Sequence, residues 1–204
     1  MAVGSDSGGA AYYAGSTMAR QLFFFERPHR FVAGTVGMPG DRTFYLQAVD
    51  AARVVSVAIE KQQVTVLADR LEELLDQIVE RTGTALPAGA ADNGALQQPV
   101  DEEFRVSAMA LAWDGDAGLV IIEAQAPAED VEVAQETLLE DVDDGPDALR
   151  VRIEPNHARA FIDRARQVVS AGRPPCPLCA LPLDPSGHVC PRQNGYHRGT
   201  TLQP

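Results

Sequence analysis

Three cysteines and a histidine, Cys176, Cys179, His188 and Cys190, stand within fifteen positions near the end of a 204-residue chain that has no other cysteine. The Cys-Pro-Leu-Cys turn, followed by eight residues and then His-Val-Cys-Pro, has the spacing of a ligand set. Zn²⁺ takes thiolate and imidazole donors tetrahedrally at about 2.0 to 2.3 Å, and a C-x-x-C turn presents two sulfurs to one ion. Pro177, Gly187 and Pro191 suit tight turns around the donors, while Leu181, Leu183 and Val189 offer a small apolar shell. Four donors predict a closed structural zinc site, with His197 as the substitute for His188; a catalytic ion would keep one position open. An odd cysteine count confined to one end is not a disulfide framework. A redox pair would want a helix start beside it, whereas Cys176 follows proline beyond the last expected helix.

Elsewhere the chemistry is sparser. Gly34, Gly37 and Gly40 lack the Gly-Lys-Ser/Thr of a phosphate loop and read as a hairpin turn. Glu60 and Glu154 close two expected strands, where paired carboxylates would suit acid–base work, but a carboxylate at a helix start is common because it offsets the helix dipole. His29 and His157 have no nucleophile that the sequence assigns to them and read as surface residues. Arg42, Glu60, Lys61 and Arg70 are the candidate contacts for an anion or a partner.

The elements that must position these groups follow from periodicity. Residues 1–17 are small, polar and glycine-rich, an expected disordered leader. Residues 31–36, 43–48 and 53–60 alternate as three strands, and Val64, Leu67, Leu71, Leu74, Leu75 and Ile78 recur at helical steps over 61–81, ended by Gly83. After an Ala/Gly/Pro-rich linker at 84–99 the order returns: strands at 104–113, 119–126 and 149–154, then a helix over 156–171 with Phe161, Ile162, Ala165, Val168 and Val169 inward. Ile59-Glu60 precedes Asp69-Arg70 by the same interval at which Ile153-Glu154 precedes Asp163-Arg164. The expectation is an α+β fold of duplicated βββα units, an antiparallel sheet backed by two helices. The halves would span 30–82 and 104–171 within a body at 18–171, followed by a zinc-binding tail at 172–204. The second half carries an insertion at 128–147, with nine acidic residues and no Lys or Arg, expected to stay in water with a short helix near 131–139.

A net charge of −12 and a pI near 4.7 repel phosphate backbones and anionic lipid, which argues against nucleic acid as a general partner and against a transcription regulator. No apolar run approaches the roughly 18 residues of a membrane span, and the patch at 22–25 is too short for a signal-peptide core, so the expectation is a cytoplasmic protein.

The stretches RFVAGTVG at 30–37, PG at 39–40, RTFYLQA at 42–48, EKQQ at 60–63, LAWD at 111–114, EAQA at 123–126 and the whole of 176–196 together resemble a family of conserved actinobacterial proteins of unknown function. The resemblance runs from Met18 onward. It implies, as partners, a phosphoinositide-kinase-like and a histidine-phosphatase-like protein encoded nearby. Two functions are carried forward: a zinc-stabilised binding or adaptor module with a protein partner, and an enzyme acting on a small anionic or phosphorylated substrate. Oligomeric state is left open.

Overall fold

The computed structural model describes residues 20–38, 40–128, 131–172, 176–179, 190 and 192. The leader at 1–17, His188 and His197 lie outside the described residues.

Among the described residues the fold is α+β, with eight strands divided between two four-stranded sheets. Strands β2 (Arg30–Met38), β3 (Asp41–Asp50) and β4 (Arg53–Ile59) form an antiparallel meander, and α1 (Lys61–Thr82) follows directly. Strands β6 (Ala108–Asp114), β7 (Leu119–Gln125) and β8 (Ala148–Ile153) form the second meander, with the six-residue α2 (Val131–Glu136) between β7 and β8 and α3 (Pro155–Ser170) after it. Each meander gains an outer strand that runs parallel to its last member. Strand β5 (Glu102–Arg105) joins β4 after the α1 crossover, and β1 (Leu22–Glu26) lies beside β8. The two sheets replace the single antiparallel sheet expected from local patterns, because a parallel partner from a distant segment leaves no mark on a hairpin's own alternation.

The expected strand at 104–113 is two strands. Val106 donates its N–H to Ala58 O at 2.7 Å and Ser107 donates to Gln125 O at 2.8 Å, so two successive amides hand the chain from one sheet to the other.

Each helix forms for a legible reason. Glu60 and Glu154 are the N-caps of α1 and α3, Gln63 Oε1 accepts the Glu60 N–H at 2.9 Å, and Pro155 sits where its missing N–H costs nothing. Gly83 ends α1 at φ 65°, a conformation that glycine adopts without strain. The stripes Val64, Leu67, Leu71, Leu75 and Ile78 of α1 and Ala158, Phe161, Ile162 and Ala165 of α3 enter one core with the inner faces of both sheets. Arg166 of α3 clamps the helices together through Glu72, at 2.6 and 2.9 Å.

Two segments cover the outer faces. Residues 84–101, without regular structure, are a strap and not a free linker: Asp92 is held by Arg30 at 2.6 and 3.0 Å, and Gln97 exchanges two hydrogen bonds with the buried Gln47, at 2.8 and 3.0 Å. Leu96 lies so close to Gly34 that a Cβ there would come within 2.5 Å of it. The acidic segment after α2 leaves Glu140, Asp141, Asp143 and Asp144 exposed while its backbone is tied down. Arg20 donates to Thr137 O and Glu140 O, Arg150 donates to Glu140 O and pairs with Asp141, and Thr137 is buried. Arg20, just before β1, and Arg150 of β8 hold it to the sheet, mainly through its carbonyls.

Candidate metal centre

Past the end of α3, the sulfurs of Cys176, Cys179 and Cys190 all lie within 4.8 Å of one another. Cys176 and Cys190 are buried and Cys179 is half-buried. The Sγ atoms of Cys176 and Cys190 are 3.9 Å apart, and none of the three cysteines is in a disulfide. Tetrahedral thiolates about 2.3 Å from a zinc ion stand about 3.8 Å from each other, so the pair is at coordination distance and far from the roughly 2.05 Å of a disulfide. The Leu178 N–H points at Cys176 Sγ at 3.4 Å, the arrangement by which a C-x-x-C turn stabilises a thiolate.

Electrostatics favour the same species. Burial pushes the Cys176 thiol up, but the backbone N–H groups of Cys179 and Leu178 and the neighbouring Cys179 and Cys190 sulfurs outweigh it, leaving the thiol below its ordinary value. A cation would complete what the amides begin. The three donors therefore fit a metal ion, and soft thiolates suit zinc among the common ones. Three ligands converge here; the fourth expected from the sequence, His188, falls outside the described residues.

The four candidate anion or partner contacts are placed apart from this centre's donors in the chain, each with its own engagement. Arg42 donates to Val168 O at 3.3 Å and stacks over Phe44, while Arg70 pairs with Glu73 three residues on, at 2.8 Å. Glu60 pairs with Arg105 at 2.9 Å, and Lys61 is an exposed first residue of α1.

Sequence reading passed over a second site. Where α3 lies against β2, a cleft of about 440 Å³ opens beneath the strap, with His29, Arg30, His157 and Arg164 around it and Phe31 and Phe161 at its base. The two rings stack at 4.9 Å. Arg164 is nearly buried, its side chain 8% exposed, and donates from Nε to Ala33 O at 2.6 Å and from Nη1 to Asp92. The signal available beforehand was slight: Asp163-Arg164 shares the register of Asp69-Arg70, but nothing local says which arginine turns inward.

A family model described as a protein of unknown function, DUF3090, matches residues 23–190, and the chain belongs to that family. No curated protein and no solved structure matches it. The matched region takes in every described strand and helix except the first residue of β1, and it ends on Cys190.

Proposed function

We propose that the protein is a zinc-stabilised binding module, a cytoplasmic adaptor or regulatory protein whose metal serves structure and not turnover. The observation that carries the reading is the convergence of three thiolates, two of them buried, in a segment too short to build a core of its own. Thiolate-rich, shielded donor sets belong to structural zinc, and His188 is the fourth ligand in this reading. The tail at 172–204 then presents a surface fixed by metal. The body at 18–171 supplies two copies of a βββα unit, a reading supported by the matching element order and by N-cap glutamates at the head of both long helices. The partner is a protein, and the kinase-like and phosphatase-like neighbours of the resembling family are the first to try.

Metal analysis of the purified native protein tests the centre. One zinc per chain is expected, lost in Cys176→Ser and in His188→Ala; a metal-free wild type that binds no added zinc overturns the reading. Titration of either neighbour protein into the zinc-loaded chain, with and without residues 172–204, tests the adaptor role, and binding that ignores the tail removes it.

A further inference from the structure

From the α3–β2 cleft we infer a binding site for a small phosphate monoester, a ligand held by the body of the protein independently of the zinc tail. Three properties of the cleft point there. First, charge: on a chain of net charge −12, Arg30 and Arg164 meet here against the single lining carboxylate of Asp92, and His29 and His157 add imidazole rings that can donate hydrogen bonds at the rim. Beyond the lining, Asp50 lies 3.9 Å from His29 Nδ1, and Glu154 caps the helix on which His157 rides.

Second, availability. Arg164 Nε and Nη1 are committed to Ala33 and Asp92, but Nη2 has no hydrogen-bond partner among the described residues, although the side chain is more than nine-tenths buried. A guanidinium edge left free in a cavity is a donor waiting for an oxyanion. His157 stands in the first turn of the sixteen-residue α3, where the helix dipole adds to the same sign of field.

Third, shape. The base is apolar, made by Phe31, Val32, Ile153 and Phe161, while the cations sit around it. A cleft of about 440 Å³ lies within the roughly 300 to 1,000 Å³ that small-molecule sites occupy. An anionic head bound at the arginines and histidines, with a flat or apolar body against the phenylalanines, matches both surfaces. A phosphate monoester, whose second proton leaves near pH 6, brings a double charge for the two guanidinium groups and acceptor oxygens for the imidazole donors.

Calorimetric titration of the full zinc-loaded chain tests the site with adenosine monophosphate, glucose 6-phosphate, inorganic phosphate, adenosine, glucose and succinate as probes. At least one phosphate monoester should bind, and more tightly than inorganic phosphate, while adenosine and glucose should not. His157→Glu should weaken that binding at least tenfold. Glutamate at the third position of a helix is favourable, so this variant should keep its melting temperature. Arg81→Glu, at the exposed far end of α1, should leave binding unchanged. Silence toward every phosphorylated probe at millimolar concentration overturns the proposal, as does tighter binding of succinate or binding indifferent to His157→Glu. None of these outcomes depends on the zinc.

Discussion

Helix α3 lies against β2 as α1 lies against β6, and counting from the two N-cap glutamates and through the strand registers puts Phe161 opposite Leu67, Arg164 opposite Arg70, Phe31 opposite Met109 and Gly34 opposite Ala112. The two places share a plan and differ in character. The α3–β2 cleft is cationic and roofed by the strap, whereas the α1–β6 cleft, of about 430 Å³, is lined by Val66, Leu67, Leu74, Met109 and Leu111 with the Arg70–Glu73 pair and Gln77 beside them. Arg164 is buried among carbonyls; Arg70 is exposed and bound to its helical neighbour Glu73. Place in the matching element order therefore does not decide a residue's role. What lies over it does, and glycine at position 34 is what lets Leu96 bring the strap close.

The outer faces repeat the lesson. Gln47 pairs across β3 and β4 with Ser56, and at the corresponding register Glu123 pairs with Arg150 across β7 and β8. Both hold the segment above them, one with neutral hydrogen bonds and the other with a buried ionic cluster in which Arg20 also donates to Glu123 at 3.0 Å.

The largest test of this contrast removes both acceptors. Glu123→Ala should cost about 3–5 kcal/mol in urea unfolding, since it leaves the buried Arg20 guanidinium without a carboxylate and Arg150 with only the exposed Asp141. Gln47→Ala should cost only about 1–3 kcal/mol, the loss of neutral hydrogen bonds. Equal costs would break the comparison. Next in size, Arg164→Ala should cost about 2–3 kcal/mol by stripping Ala33 O of its donor and releasing Asp92, while Arg70→Ala, an exposed pair in a single helix, should stay within about 0.5 kcal/mol.

The smallest effect is a pH dependence confined to the strap. The Arg30 guanidinium holds the Asp92 carboxyl below its ordinary value; partial burial opposes this, and the Gly94 N–H and the charges of Arg30 and Arg164 reinforce it. A carboxyl whose folded pKa is depressed contributes fully above its unfolded pKa of about 3.9 and loses that contribution as pH falls through the folded value. The stability gap between wild type and Asp92→Asn should therefore be constant near neutrality and close as the pH drops below about 4. A gap that persists at lower pH would mean that Asp92 acts without its charge.

Much of this architecture is legible from residue order. The two long helices, their caps and both meanders follow from period and turn chemistry, and the expected stripe of α1 is the one that the core takes, with Leu74 at its margin. The thiolate cluster is legible because its donors are local: Cys176 and Cys179 meet through one turn, and Cys190 is close in sequence. The α3–β2 cleft is not, since His29, Arg30, Asp92, His157 and Arg164 come from segments that share no local pattern. His29 and His157 are exposed, as their setting suggests, and still stand at the rim of a cavity.

Sequence by itself determined what depends on near neighbours: the α+β class, the helix ends at Glu60, Gly83 and Glu154, and three sulfurs able to share one ion. Tertiary structure alone decided what depends on distant segments meeting. It placed β1 beside β8 and β5 beside β4, gave the acidic segment its cations in Arg20 and Arg150, and turned Arg164 inward while its counterpart faces water. The physical reason is the same in each case: a backbone edge or a charge is satisfied by whatever reaches it, and chain order does not record what reaches it.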